Sequence, residues 1–217
     1  MKTIGVLGLQ GDVMEHIEAV RALNQKAVWL KSPHQLKEID ALIIPGGEST
    51  TISELLLDNE LFHDVVSMGK AGLPIFGTCA GAILLASEGD SQVRQTGQKL
   101  LGLMEMKVDR NAFGRQRESF EAEIEINGIT DGDGMKSHHT GGKNSGNSPP
   151  APKTKPSPFN AIFIRAPLIE KVGGDCRALS LLDGQIVAAR QKSLLATCFH
   201  PELSSDLRVH EYFLRMV

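Results

Sequence analysis

The chain has 217 residues, 41% of them hydrophobic, enough for one sizeable core and short for two, so a single domain spanning 1–217 is expected. Lys and Arg total 23 against 26 Asp and Glu, a net charge of -3 with no long basic run, so composition makes no case for nucleic-acid or anionic-membrane binding. Three widely spaced cysteines, Cys79, Cys176 and Cys198, fit neither a disulfide framework nor a zinc site, and no apolar run reaches bilayer-spanning length, which predicts a soluble, cytoplasmic protein.

The opening MKTIGVLGLQGD turns polar too soon for a signal-peptide core. Within it, residues 3–9 (TIGVLGL) are a short apolar run; past Gly11, Val13, Ile17, Val20 and Leu23 recur at helical spacing, giving strand, turn and helix in succession. The runs 26–31 (KAVWLK) and 40–45 (DALIIP) repeat the strand signal, and GGES leads into TISELLLDNELF and helical spacing to about Lys70. A fourth strand at 73–77 (LPIFG) runs straight into Thr78, Cys79 and a helical stretch, AGAILLAS. Strands alternating with helices imply a parallel sheet covered on both faces. Beyond residue 100, LLGLMEMKV, SFEAEIEI, NAIFIRAP, CRALSLL, QIVAARQ and SLLATCF read as strands on short turns, with a last helix at 205–216. Residues 131–158 are half Gly, Pro and Ser, with only Met135 and Ala151 apolar, which predicts a disordered surface insertion between two strands.

GTCAG at 77–81 is G-x-C-x-G at a strand-to-helix junction, the pattern of a nucleophile elbow with sulfur in place of oxygen. The sharp turn strains the nucleophile's backbone, and side chains at the flanking positions would collide with neighbouring elements. The helix N-terminus near Ala80 favours a thiolate and can hold a developing oxyanion. A small buried apolar residue is the competing reading of Cys79, and it is the preferred one for Cys176 and Cys198, which lack flanking glycines.

A cysteine nucleophile needs a base, and His200 in FHPE follows an apolar strand directly. Pro201 pushes His200 toward extended backbone, where residues two apart point the same way, so Glu202 can orient the imidazole. His138 and His139 fall in the insertion, and His16, His34, His63 and His210 show no comparable carboxylate arrangement. IPGGEST at 44–50, between a strand and a helix, should present backbone N–H groups on the side where Cys79 emerges. It also reads as a tight turn with Ser49 or Thr50 capping the helix; no Gly-Lys-Ser/Thr follows to make it a phosphate loop. A cysteine peptidase or a redox chaperone on a similar fold satisfies the same cysteine and histidine.

Taken in order, IPGGES, GTCAG and FHPE resemble the triad-type (class I) glutamine amidotransferases. IGVLGLQGDVMEHIEAV at 4–20, IIPGGESTTISELL at 43–56, VDRNAFGRQRESFE at 108–121 and AIFIRAP at 161–167 are similar to the branch that serves as glutaminase subunit of pyridoxal 5'-phosphate synthase. The similarity covers nearly the whole chain except 131–158. It implies a three-layer, flavodoxin-like α/β fold with a mostly parallel, mixed central sheet. It implies Cys79 as nucleophile, His200 as base and Glu202 as orienting carboxylate. Gly47, Glu48, Ser49, Arg110, Ile164 and Arg165 match positions that contact glutamine, and Gly47 with the N–H of Ala80 matches the oxyanion hole. The implied substrate is L-glutamine, the implied partner a barrel-shaped synthase subunit, and neither metal nor organic cofactor is called for. A glutaminase serving a histidine or nucleotide synthase is the nearest alternative.

Overall fold

The computed structural model describes residues 1–110, 119–130 and 157–217. The insertion expected at 131–158 lies outside them except for Ser157 and Pro158, whose carbonyls accept hydrogen bonds from Arg208 at 2.8 and 3.0 Å.

The chain opens with β1 (Thr3–Leu7), α1 (Val13–Ala22), β2 (Lys26–Leu30), β3 (Ala41–Ile44), α2 (Ser49–Asp58), α3 (Leu61–Lys70), β4 (Ile75–Thr78) and α4 (Ala80–Leu85). It continues through β5 (Ala86–Gly89), α5 (Ser91–Thr96), β6 (Met104–Asp109), β7 (Ser119–Ile124) and β8 (Phe159–Ile164). β9 (Leu168–Val172), β10 (Arg177–Leu182), β11 (Gln185–Gln191), β12 (Leu194–Thr197) and α6 (Arg208–Leu214) complete it. Among the described residues, ten strands form one sheet in the order β2-β1-β3-β4-β12-β11-β9-β6-β5, with β10 paired to β11. The first five in that order are parallel to one another; β11, β9 and β6 then alternate antiparallel. β7 and β8 make a separate antiparallel pair.

From β1 the chain steps through α1 outward to β2, whereas from β3 it steps through α2 and α3 the opposite way to β4. Right-handed crossovers then put α1 on one face and the α2–α3 pair on the other. That coverage explains why β3 and β4 are buried along their whole length and read as unbroken apolar runs. Phe76 of β4 is fully buried 5.4 Å from the Phe213 ring of α6, a contact that ties the last helix to the middle of the sheet. The reversal of direction between β1 and β3 leaves a crevice beyond their carboxyl ends, and the loops 8–12 and 45–48 meet there.

The elements differ from the sequence reading in a few places. The helical signal over 49–70 is two helices, broken where Glu60 takes a positive φ of 59°. AGAILLAS leaves the helix at Leu85 and enters β5, whose pairing with β6 outweighs the local helix preference of its small residues. β9 and α5 carried no clear signal, β9 because Glu170 and Lys171 interrupt its apolar pattern. The last helix starts at Arg208 rather than 205, since Asp206 accepts from the Arg208 amide at 3.1 Å.

The glycines of GTCAG have the steric duty expected of them. A Cβ on Gly81 would lie 2.1 Å from the Ile44 carbonyl oxygen, and one on Gly77 would lie 2.5 Å from the backbone of Gly81, so β3, β4 and α4 touch backbone to backbone. Gly81→Ala should therefore cost at least about 3 kcal/mol in urea unfolding or prevent soluble expression. Gly97→Asn, at a helix end with φ +70° and open space, should stay within about 1 kcal/mol of the parent.

Candidate active site

Cys79 sits between β4 and α4 with φ 48° and ψ -101°, a strained conformation for a residue with a side chain. The strain is held from both sides. Its amide donates to the Thr197 carbonyl at 2.8 Å, extending the β4–β12 ladder by one rung, and its own carbonyl accepts from Ile83 at 3.2 Å to open α4. The sulfur is nearly buried and lies 3.9 Å from the Ile164 carbonyl, on the edge of a cavity.

β12 pairs in register with β4, Thr197 opposite Thr78, so the segment leaving β12 emerges beside the elbow. His200 follows three residues later, its amide held by the Ile162 carbonyl of β8 at 2.8 Å. Pro201 starts a single 3-10 turn (Pro201–Leu203), and the chain folds back so that Glu202 Oε1 lies 2.8 Å from His200 Nδ1. The carboxylate therefore reaches the imidazole through a turn rather than along an extended strand. A carboxylate at Nδ1 assigns a proton to that nitrogen and leaves Nε2 to face the Cys79 sulfur. Asp12, from the loop after β1, approaches the same Nδ1 at 3.4 Å.

Burial works against an imidazolium at His200, but hydrogen bonds with Asp12, Cys79 and Glu202 outweigh it and raise its pKa far above the ordinary 6.5. Glu202 moves the other way from most paired carboxyls: burial raises it, with His200 opposing. Asp12, half-buried, is lowered chiefly by its hydrogen bond to His200. Asp12, His200 and Glu202 bring ligand-type atoms within 4.8 Å of one another, with His200 Nδ1 facing Glu202 Oε1 at 2.8 Å and Asp12 at 3.4 Å.

The cavity in front of the sulfur measures about 430 Å³ and is lined by all six residues expected to contact substrate: Gly47, Glu48, Ser49, Arg110, Ile164 and Arg165. Glu48 caps α2, accepting from the Thr50 and Thr51 amides at 3.1 and 2.7 Å, and pairs with Arg110 at 3.0 Å. Arg110 is braced further by Thr50 Oγ1 at 3.1 Å and Gln98 Oε1 at 3.0 Å, so its fork is held in place on the cavity wall. Arg165, like Cys79, has a positive φ, of 41°. The 45–48 loop is docked on the 8–12 loop: Gln10 Oε1 accepts from the Glu48 amide at 2.9 Å, and a Cβ on Gly11 would strike the Gly46 oxygen at 1.7 Å. Ala80, expected in the oxyanion hole, is buried at the first position of α4, where its N–H has no partner within the helix.

Cys176 and Cys198 are buried, and burial pushes their thiols up, the former to about 11 with Glu105 adding to the effect. The expectation for His16 and His210 needs correction. His16 lies 3.5 Å from Glu202 Oε2 and 3.0 Å from His210, both rings fully inside the protein. Sequence reasoning missed that, and it missed Asp12. The available signal for Asp12 was its place just past a strand end in an α/β sheet, where ligand-facing residues gather.

The sequence matches the SNO glutamine amidotransferase family over residues 6–139 and 151–217. It is 46% identical over 211 residues to the pyridoxal 5'-phosphate synthase subunit PdxT of Pelotomaculum thermopropionicum, covering 97% of this chain and 93% of the relative. With the subunit of the same name from Methanocella arvoryzae it shares 45% identity over 217 residues, 99% and 96% of the two chains. A solved glutamine amidotransferase superposes with a TM-score of 0.81 at 39% identity, covering 98% of this chain and 97% of the other. PurLQS from Thermotoga maritima superposes at 0.62 with 12% identity over 99% of each chain, a likeness of fold alone.

Iodoacetamide at neutral pH should alkylate Cys79 first, since its sulfur borders the cavity while Cys176 and Cys198 are buried with raised thiols. Peptide mass mapping after partial reaction checks this; labelling of Cys198 ahead of Cys79 in the folded protein would contradict it.

Proposed function

The chain belongs to the SNO glutamine amidotransferase family, and from that premise we propose that the cavity in front of Cys79 is its glutaminase site. The protein is the glutaminase subunit of pyridoxal 5'-phosphate synthase: it hydrolyses L-glutamine to L-glutamate and ammonia and works with the synthase subunit. The observation that carries the site assignment is the strained elbow, which sets the Cys79 sulfur before an imidazole already oriented by a carboxylate.

In the reaction we assign to these residues, Glu48 takes the α-ammonium of glutamine, and Arg110 with Arg165 takes the α-carboxylate by paired charge-assisted hydrogen bonds. Gly47, Ser49 and Ile164 complete the walls. With its charged form favoured by Asp12, Cys79 and Glu202, His200 holds the proton as an imidazolium beside the sulfur, and the thiolate attacks the side-chain amide carbon. Negative charge develops on the amide oxygen, toward which the N–H groups of Gly47 and Ala80 are the candidate donors. As the carbon–nitrogen bond breaks, the His200 proton goes to the leaving nitrogen and ammonia departs, leaving a glutamyl thioester on Cys79. His200 then takes a proton from water, whose hydroxide attacks the thioester; the carbon–sulfur bond breaks, glutamate leaves, and the Cys79 thiolate beside the protonated His200 is restored. Glu202 stays ionised and stabilises the imidazolium in both halves.

We extend the assignment to a single amidotransferase domain over 1–217, supported by one continuous buried core through the described residues. We take the partner to be a barrel-shaped synthase subunit and the compartment to be the cytoplasm, a choice supported by three free cysteines; no helix among the described residues is long and apolar enough to cross a membrane.

Ammonia release from glutamine, with and without the synthase subunit, tests the reading. Cys79→Ala should lose at least about a thousandfold in kcat while keeping the parent's circular dichroism and melting temperature. Activity should rise on adding the pyridoxal 5'-phosphate synthase partner and not on adding the synthase of a histidine or nucleotide pathway. Near-parental ammonia production by Cys79→Ala in the complex would remove the site assignment.

A further inference from the structure

Glu202 has two carboxylate oxygens, and the reaction above uses one. Its Oε2 is buried, has no hydrogen-bond partner among the described residues, and points at His16 Nε2 3.5 Å away. His16 comes from α1 and is fully buried; the same nitrogen lies 3.1 Å from Thr78 Oγ1, the residue before Cys79. Its other nitrogen meets His210 Nε2 of α6 at 3.0 Å. Cys79, His200, Glu202, His16 and His210 thus form one row, assembled from four separated stretches of chain, and only its first three members enter the chemistry. Phe76 packs edge-on against both outer rings at 6.2 and 5.9 Å, closing the row off from water.

The charge on Glu202 decides how the protons lie. A lone pair on His16 Nε2 could accept from the Thr78 hydroxyl at 3.1 Å but would then face the buried Glu202 oxygen at 3.5 Å, whereas a proton there lies between two acceptor oxygens, so the favoured tautomer carries its proton on Nε2. Nδ1 is then an acceptor and takes the proton of His210 Nε2–H. The row ends on His210 Nδ1, a bare acceptor, and that atom is indeed without a partner among the described residues. Burial keeps both outer rings neutral, His16 well below its ordinary value with His210 and His200 adding, and His210 at about 4. A neutral donor matters here: a cation at this spot would compete with the His200 imidazolium for the same carboxylate.

We propose that His16 is a positioning residue of the catalytic triad, its Nε2–H directed at Glu202 Oε2 so that the carboxylate stays ionised and keeps Oε1 on His200 Nδ1, with His210 fixing the tautomer of His16. The proposal rests on the glutaminase reading of the site. Removing the donor weakens Glu202 as a counter-charge and with it the imidazolium that faces the Cys79 sulfur. The titratable groups that face this row are Asp12, Cys79 and Glu202 at His200, and His200 and Asp12 at Glu202, with His16 3.5 Å from its Oε2. His210 and His200 bear on His16, with Thr78 its polar neighbour.

The test compares the parent with His16→Leu and His16→Gln, whose side-chain amide can restore an N–H near the position of Nε2. The readout is the iodoacetamide rate at Cys79 against pH, together with kcat and KM for glutamine in the complex with the synthase. His16→Leu should raise the alkylation midpoint by about one pH unit and lower kcat about ten- to a hundredfold with KM within about twofold, and His16→Gln should recover most of both. If His16→Leu does not fold, His210→Leu, which frees the tautomer of His16, should give a smaller shift in the same direction. An alkylation midpoint at the parental value in a folded His16→Leu or His210→Leu protein overturns the proposal. The Cys79→Ala assay fails or succeeds independently, so loss of the glutaminase reading and loss of this inference are told apart.

Discussion

One rung of the sheet carries the arrangement of the site. β4 and β12 run parallel with Thr78 opposite Thr197, and the Cys79 amide donates to the Thr197 carbonyl at 2.8 Å. The nucleophile and the strand that delivers its base are therefore fixed by the same ladder, although 121 residues separate Cys79 from His200 in sequence. Backbone hydrogen bonds of this kind define register in steps of a whole residue, and a slip of one would turn every side chain to the opposite face. The chemistry can then rely on distances that side chains alone, each with rotamer freedom to lose, would hold less firmly.

Around that rung the fold accepts local strain in return for geometry. Cys79 and Arg165 both adopt positive φ at the cavity. The elbow tolerates it because β3, β4 and α4 approach so closely at Gly77 and Gly81 that no relaxed path is open to the chain. The second device is the docking of the 45–48 loop on the 8–12 loop through Gln10 and Gly11, made possible by the reversal of strand order between β1 and β3. Glu48 links these parts: it caps α2, pairs with Arg110 and lines the cavity, so the helix start, the cation and the binding wall move as one unit.

What was legible in the sequence was what lies close in sequence. GTCAG encodes a strand-to-helix turn within five residues, and His200 with Glu202 encodes an oriented imidazole within three, so both survive without knowledge of the topology. The alternation of apolar runs and helical spacing from β1 to β4 was likewise enough for four of the five parallel strands, while β12 joins them from the far end of the chain. Illegible features depend on which strands neighbour which. Asp12 reaches His200 only because β1 and β12 end on the same side of the sheet. His16 and His210 look like ordinary helix residues until α1 and α6 bring them together under Glu202. β5 escaped notice because its partner β6, not its own small residues, decides its conformation. The expected extended path from His200 to Glu202 turned out to be a 3-10 turn, with the same two groups in contact, since proline starts either conformation equally well.

The claim on which the account stands is that glutamine passes through a covalent bond to Cys79. The most direct measurement is intact mass of the chain, acid-quenched during turnover of glutamine in the complex with the synthase, followed by peptide mapping. The account predicts a transient adduct of one glutamyl group on the peptide that carries Cys79, decaying as glutamate accumulates. An adduct on any other residue would contradict it.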